Sequence, residues 1–225
     1  MYKYLSTQAT YSYLNFSFYY SCISHHIRKM TFDIFLINIA NIHHHFIDLQ
    51  NDIFALQSTY VLLTETWMQP NQPVTWNNKR LSHASYGNGN GVCCYKPIHD
   101  VDSQDNTIVH PTFQMLSFYI MQNYQIILVY LSKNCSKTIV ASALNNLIDH
   151  SKDVIILGDF NYKAGTNNEI TRFLQDKKFQ QIVNFPTHME ANVIDHIYTN
   201  SVNLININYM FMYYSDHCAF HISLK

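Results

Sequence analysis

The feature that most constrains the fold is a series of short apolar segments, separated by polar turns or by amphipathic stretches with helical spacing. Each segment has the length of a β-strand, and none approaches the ~20 apolar residues that a membrane helix needs. The strand-like segments are 31–39, 60–65, 92–96, 113–120, 124–131, 153–160, 193–199 and 218–224. The predicted helices are 45–57, 137–149 and 168–178. Helices mixed with strands, some of them adjacent and hairpin-like, predict an α/β (α+β) layered sandwich.

The spacing of apolar residues also predicts which faces of the helices are buried. The helix over 45–57 has one apolar face, made of Phe46, Leu49, Ile53 and Leu56. The helix over 137–149 has an inner side that carries Ile139, Leu144, Leu147 and Ile148. Asn-Gly pairs at 86–91 predict a tight turn that leads into a return strand, VCCYK.

The chain is long enough for one domain with a substantial core, at 225 residues. Residues 1–30 differ from the rest, because they are rich in Tyr and Ser and have no clean hydrophobic period. They lack the apolar stretch and small-residue cleavage site of a signal peptide. We therefore expect an N-terminal extension of uncertain structure over 1–30 and one folded domain over 31–225.

Charge and cysteine content limit the classes of function. Fourteen basic and fifteen acidic residues give a net charge of -1, so the chain as a whole does not attract a polyanion. Binding of nucleic acid would need local positive charge or a metal ion. Five cysteines without a CxxC pair predict a reduced, intracellular chain.

Polar residues recur where the predicted strands end. Gly158 predicts a turn, after which Asp159 and Asn161 share one face because side chains alternate along a strand. Other strand-end residues are Asn38, Glu65, Tyr130, Asp195, Asp216 and His217. Taken singly, each has a commoner role in a turn, a loop cap or a solvated surface. The tract His43–His45 likewise fits a solvated cluster better than a metal site.

As a set, these residues have a chemical logic. Oxygen ligands from Asn, Glu and Asp suit Mg²⁺ or Mn²⁺, which keeps several waters and binds phosphate oxygens. Phosphodiester hydrolysis needs charge neutralisation, an oriented water and donors to the phosphate. A His paired with an Asp supplies such a donor.

The same residues belong to motifs that follow one another in order along the chain. The motifs are Asn38, Glu65-Thr66-Trp67, Gly91-Val92, Tyr130, Gly158-Asp159-Phe160-Asn161, Pro186-Thr187-His188, Ile194-Asp195-His196 and Ser215-Asp216-His217. In this order they resemble the endonuclease/exonuclease/phosphatase superfamily, which includes deoxyribonuclease I. The spellings ETW, PTH…IDH and YYSDH are most similar to the endonuclease domains of LINE-type retroelements. The resemblance covers residues 31–225 and implies a deoxyribonuclease I-like, four-layer sandwich of two mixed β-sheets flanked by helices.

The resemblance implies a role for each matching residue. The implied ligands of Mg²⁺ or Mn²⁺ are Glu65, Asn38 and Asp216. The implied catalytic residues are Asp159 on the attacking water, Asn161 on the phosphate or water, His217 on the phosphate, Asp195 holding His217, and Tyr130 orienting the phosphate. The implied substrate contacts are Thr187, Asn161 and the nearby cation Lys133. Relatives often have Gly where this chain has Ala191, which predicts a strained turn before Ile194.

We therefore expect a Mg²⁺-dependent phosphodiesterase, a DNA endonuclease that acts by direct water attack. A DNA substrate of this kind implies a nuclear location, and we expect a monomer with no membrane partner. A metal-dependent phosphatase or lipid phosphodiesterase is the alternative within the same superfamily. An alternative of another class is a decayed, mobile-element-derived domain that binds without catalysis. The retained Asn38, Glu65, Asp159, Asn161, Asp195 and His217 favour activity.

Overall fold

A computed structural model describes residues 32–69, 71, 73–85, 90–100, 105–201 and 204–224, with the backbone alone at 204 and 205. The predicted extension over 1–30 and residues 86–89 of the predicted turn lie outside this part of the chain. Within it, no helix is long and apolar enough to cross a membrane. The strands are β1 (Phe32–Asn38), β2 (Tyr60–Thr64), β3 (Lys79–Ala84), β4 (Val92–Pro97), β5 (Asn106–His110), β6 (Phe113–Ile120), β7 (Tyr124–Leu131), β8 (Asp153–Asp159), β9 (Gln180–Gln181), β10 (Asp195–Thr199), β11 (Leu204–Phe211) and β12 (Cys218–Leu224). The helices are α1 (Ile42–Asn51), α2 (Ile53–Gln57), α3 (Lys137–Leu147) and α4 (Glu169–Asp176).

The described strands form two mixed sheets of six strands each. One sheet has the order β11-β12-β1-β2-β4-β3, and the other has the order β5-β6-β7-β8-β10-β9. In each sheet a single pair of described strands is parallel, β1 with β2 and β7 with β8. Helices α1 and α2 connect the first pair and α3 connects the second, as a parallel crossover requires. The carboxyl ends of each parallel pair therefore lie at one edge of their sheet.

Packing of the two sheets against each other and against the helices gives four layers. An apolar cluster between the sheets includes Leu36, Leu62, Phe118, Leu128 and Phe220. A second cluster lies between the first sheet and α1 and α2, and a third lies between the second sheet and α3 and α4. The fold is thus the deoxyribonuclease I-like sandwich that the sequence predicted.

The predicted single helix over 45–57 is wrong, because Asp52 divides it. The side chain of Asp52 accepts hydrogen bonds from the backbone N–H groups of Phe54 and Ala55, so it ends α1 and caps α2. As a result Ile53 and Leu56 are exposed. In α3 the predicted inner residue Ile139 is also exposed, and Val140 packs in the core beside Leu144.

The predicted strands at 113–120 and 124–131 match β6 and β7 residue for residue, and they pair as a hairpin. The return strand β4 pairs with β3, as the predicted turn requires. Strands β3, β5, β9 and β11 were not among the predicted segments. Of these, β11 has a visible signal, because its sequence LININYMF alternates apolar and polar residues over 205–208.

Candidate active site

A hydrogen bond joins the two sheets at the edge where the parallel strands end. Asn38 is the last residue of β1 and Asp159 is the last residue of β8. The side-chain amide nitrogen Nδ2 of Asn38 donates to Oδ2 of Asp159 at 3.0 Å, and both residues are buried. Two residues 121 positions apart in the chain thus meet at the centre of a polar cluster.

The carboxylate of Asp159 is held by Asn161, as their spacing predicted. The backbone N–H of Asn161 donates to Oδ1 of Asp159 at 2.8 Å, and its side-chain Nδ2 donates to Oδ2 at 3.0 Å. The same Nδ2 donates to the carbonyl of Leu131 at 2.9 Å, so it also touches the end of β7. Asn161 has φ 52°, a left-handed conformation that Asn adopts more readily than most residues.

The sequence predicted that the chain turns at Gly158. This prediction is wrong, because β8 continues through Gly158 to Asp159. Gly158 lies between Val129 of β7 and His196 of β10 and has φ 135°. A Cβ atom at this position would lie 2.0 Å from the carbonyl oxygen of Val129. Glycine is therefore required here for the close approach of β7 and β8, which sets Tyr130 beside Asp159 in the register.

Asn38 presents its nitrogen to the cluster, although the sequence predicted it as a metal ligand. Its Oδ1 accepts the backbone N–H of Ala40 at 3.0 Å, which fixes the orientation of the amide. Nδ2 then lies 3.0 Å from Asp159 and 3.3 Å from Nε2 of His217. This arrangement fits an orienting role of Asn38 toward Asp159, and its predicted role as a metal ligand stays a prediction.

His217 and Asp195 form a buried pair at the same edge. Nδ1 of His217 lies 2.8 Å from Oδ2 of Asp195, which leaves Nε2 directed at the cluster. Asp195 begins β10 and is the direct partner of Asp159 on β8. The hydroxyl of Ser215 accepts the backbone N–H of His217 at 3.0 Å and donates to the carbonyl of Asn38 at 2.7 Å. Ser215 therefore fixes His217 to the end of β1, a role that the sequence did not predict.

The pKa values of Asp159 and His217 in this cluster are both raised. Burial raises the pKa of the Asp159 carboxyl well above its usual range, and the charges of Asp195 and Glu65 raise it further. Burial alone would lower the pKa of His217, but the hydrogen bond and charge of Asp195, with the charges of Asp159 and Asp216, outweigh it and raise the pKa to about 9. His217 is therefore a cation at neutral pH, and Asp159 is a carboxyl group with raised proton affinity.

Tyr130 and Glu65 lie on the other side of Asp159. Burial raises the pKa of the Tyr130 hydroxyl, and the charges of Glu65 and Asp159 and a hydrogen bond to Glu65 raise it further. Tyr130 therefore remains a protonated donor. Glu65 follows β2, is half-buried and has φ 51°. Backbone strain of this kind in a non-glycine residue is typical of functional sites.

Thr187 is fully buried, although the sequence predicted a contact with the substrate. Its hydroxyl oxygen accepts the backbone N–H groups of Ile194 at 3.1 Å and Asp195 at 3.0 Å. Its backbone carbonyl accepts the N–H of Cys218 at 2.7 Å. These contacts fit a role in positioning Asp195, and the predicted contact of Thr187 with the substrate stays a prediction.

The remaining predicted residues lie around this cluster. The side chain of Asp216 is 53% exposed, and its Oδ1 lies 4.0 Å from Nε2 of His217. Lys133 is exposed in the loop that follows β7. The predicted strained turn is present, because Ala191 has φ 60°.

The donor set fits a divalent cation that prefers oxygen. Four carboxylates, those of Glu65, Asp159, Asp195 and Asp216, act on the two shifted groups at this edge, Asp159 and His217. Burial, and after it repulsion from the carboxylates of Asp195 and Glu65, raises the pKa of Asp159, and a cation would relieve that repulsion. Two groups of side chains among the described residues have ligand atoms within 4.8 Å of one another: Asp159, Asp195 and His217, and His188, Asp216 and His217. Glu65 belongs to neither group and is hydrogen-bonded to Tyr130.

Comparisons with known proteins agree with this geometry. A family model described as endonuclease-reverse transcriptase matches residues 124–221, from β7 into β12. A comparison of the sequence with curated proteins gives no significant match.

Solved structures similar to this chain share its fold at low sequence identity. The endonuclease domain of TRAS1, a telomere-specific non-LTR retrotransposon, is 12% identical with a TM-score of 0.66, over 87% of this chain and 99% of that one. The 3' phosphatase NExo from Neisseria, bound to a product DNA hairpin, is 13% identical with a TM-score of 0.69, and the match covers 86% of this chain and 99% of that one. An AP endonuclease from Archaeoglobus fulgidus is 10% identical with a TM-score of 0.64, and the match covers 85% of this chain and 98% of that one.

Proposed function

We propose that this chain belongs to the endonuclease/exonuclease/phosphatase superfamily and that its domain over 31–225 is a Mg²⁺-dependent endonuclease, which hydrolyses DNA phosphodiester bonds by direct attack of water. One observation carries the proposal. The hydrogen bond from Asn38 to Asp159 brings a candidate base from one sheet to the edge of the other, beside the buried cation His217. A base, a cation and adjacent carboxylates are the parts that the reaction needs.

Asp159 is the proposed base that orients the attacking water and takes its proton. Its Oδ2 accepts two side-chain N–H groups, from Asn38 and Asn161, whereas the hydrogen bond to Oδ1 comes from one backbone N–H. Oδ1 therefore retains a lone pair for water. The raised pKa of Asp159 means a higher proton affinity, which favours a general base.

His217 is the proposed donor to the phosphate oxygens. Because Asp195 accepts from Nδ1, the proton on Nε2 of the cationic ring is directed into the site. The protonated hydroxyl of Tyr130 supplies a second donor beside Glu65. Both groups would stabilise negative charge that develops on the phosphate in the transition state.

Glu65 and Asp216 are the residues proposed to hold the cation. A bound Mg²⁺ supplies Lewis-acid stabilisation of the phosphate, and Mn²⁺ would supply the same chemistry. Asn38, whose oxygen faces Ala40, orients Asp159 at this position.

DNA is the proposed substrate class, and two observations support it. The TRAS1 domain is named an endonuclease, and the Neisseria phosphatase holds a DNA hairpin. With a net charge of -1, phosphate contacts must come from local cations such as Lys133. We therefore expect DNA affinity with few phosphate contacts and a shallow dependence on salt.

Nicking of supercoiled plasmid in the presence of Mg²⁺ tests the proposal. We expect EDTA to abolish nicking and Asp159→Asn to lower its rate by about 10²-fold or more. The matched control is Asp176→Asn, at an exposed position at the end of α4, which should nick as the wild type does. Nicking that survives both EDTA and Asp159→Asn would contradict the proposal.

Two outcomes would instead support the alternatives. Release of phosphate from inositol phosphates or from DNA 3' ends without nicking would support a metal-dependent phosphatase. A folded protein that binds DNA but hydrolyses none of these substrates would support a decayed binding domain.

A further inference from the structure

His188 contacts the candidate site through Asp216 and through the ring of His217, whose centroid lies 4.8 Å from its own, and it has no role in the function proposed above. Nε2 of His188 lies 3.2 Å from Oδ2 of Asp216, and the side chain of His188 is only 16% exposed. The other carboxylate oxygen, Oδ1, faces Nε2 of His217 at 4.0 Å. One oxygen of Asp216 is therefore occupied by His188, and the other is directed at the site.

The main chain holds His188 in register with this carboxylate. His188 and His217 are partners in an antiparallel bridge. The N–H of Met189 donates to the carbonyl of Asp216 at 3.0 Å, and the N–H of Ala191 closes a turn onto the carbonyl of His188 at 2.9 Å. Ala191, which has φ 60°, is the last residue of this turn.

A backbone donor decides which ring nitrogen of His188 carries the proton. The N–H of Glu190 donates to Nδ1 of His188 at 3.1 Å, so Nδ1 is an acceptor and the proton lies on Nε2. Nε2 therefore has no lone pair for a metal ion, and it donates to Oδ2 of Asp216. Although His188, Asp216 and His217 are close enough to form a metal cluster, this tautomer makes His188 a donor to the carboxylate.

We propose that His188 is a positioning residue that holds the carboxylate of Asp216 toward the divalent cation of the active site. The inference rests on the proposed function, in which Asp216 helps to hold that cation. A neutral ring orients the carboxylate by one hydrogen bond and leaves its negative charge available to the cation. Partners of this kind, which bind a ligand residue and not the metal, change metal affinity by about 10–100-fold when they are removed.

Direct binding of Mn²⁺ tests the inference without using activity, by electron paramagnetic resonance of the free ion. His188→Phe keeps a ring without the donor, and we expect it to weaken Mn²⁺ binding about tenfold or more. His188→Gln restores an N–H donor, and its Mn²⁺ affinity should return to within about threefold of the wild type. The melting temperature in EDTA shows that each variant is folded.

A double-mutant cycle separates positioning from a general loss of stability. In an Asp216→Ala background, His188→Phe should no longer change Mn²⁺ affinity, because the carboxylate that it orients is gone. Equal Mn²⁺ affinity of the wild type and His188→Phe, an undiminished effect in the Asp216→Ala background, or a wild type that binds no Mn²⁺ would overturn the inference. Mn²⁺ binding that depends on His188 in a protein that does not nick plasmid would overturn the proposed nuclease function alone.

Discussion

Oδ2 of Asp195 lies 2.8 Å from Nδ1 of His217, and both side chains are almost fully buried. This pair fixes the direction of the imidazole ring and holds its positive charge within the protein. It also connects the beginning of β10 with the residue before β12, so it joins the two sheets a second time.

Asp195→Asn should lower the pKa of His217 from about 9 toward the ordinary histidine value. The charge and the acceptor of Asp195 are what outweigh burial of the ring, and asparagine removes the charge. We expect the nicking rate at neutral pH to fall by about 10²–10⁴-fold. An NMR titration of the His217 ring measures the pKa directly. An unchanged pKa would show that Asp195 does not maintain the charge.

Thr187→Val should destabilise the protein by about 1–3 kcal/mol, because two backbone N–H groups that lead into β10 lose their acceptor. Thr187→Ser retains the hydroxyl and should be close to the wild type in both stability and nicking. Urea unfolding measures the difference. Equal stability of the Val and Ser variants, with nicking lost in both, would favour the direct substrate contact that the sequence predicted.

Gly158→Ala should prevent stable folding, at a cost of more than about 4 kcal/mol, because its Cβ would overlap the carbonyl of Val129 in a left-handed conformation. Gly165→Ala is the matched control, since Gly165 has φ 80° but no atom within 4 Å of an added Cβ. It should cost only about 1 kcal/mol. Yields of soluble protein and thermal unfolding compare the two variants. Similar losses in both would mean that backbone conformation, and not the approach of β7, sets the requirement.

Stability should fall in acid through His196. Burial lowers its pKa from 6.5 to about 4, while its contact with the Val193 carbonyl and the charge of Asp195 oppose the shift. Between about pH 4 and 6.5, His196 is therefore protonated in the unfolded chain and neutral in the folded protein. The free energy of unfolding rises with pH over this range. The contribution is fully present above about pH 6.5, and about 3 kcal/mol is lost as the pH falls to about 4.

His196→Phe supplies the comparison for this pH dependence, because its ring can stack on Phe160 as the imidazole does but cannot titrate. The variant should be less stable at pH 7, since the Tyr198 hydroxyl and the Val193 carbonyl lose a partner. Its deficit relative to the wild type should shrink as the pH falls from 7 to 4. A constant deficit, measured by denaturant unfolding at each pH, would contradict the assignment.

Local patterns in the sequence were sufficient to predict much of the fold, and the order of the motifs predicted several residues that the structure brings into contact at one edge of the sheets. Strands β6 and β7 follow from two short apolar segments with a short turn between them, and Asn38, Asp159 and His217 were predicted together from their motifs. Their separate tasks depend on contacts between distant segments. The burial of Thr187 and the amide orientation of Asn38 arise from partners that no local pattern reveals. The helix break at Asp52, by contrast, has a local signal, because Asp is a common N-cap residue. The regular helical spacing of apolar residues on both sides of Asp52 hid that signal.

The pairing of β1 with β12 has a consequence for the synthesis of the protein. The first and the last of the described strands are neighbours, with Phe32 opposite Leu224, and Ser215 and His217 contact Asn38 at the other end of β1. On a translating ribosome, β1 emerges early and its partner emerges only after every other described strand has been made. The polar cluster therefore cannot assemble on a partly made chain. If the site has the proposed hydrolytic activity, that activity begins only after residues 217–224 have left the exit tunnel.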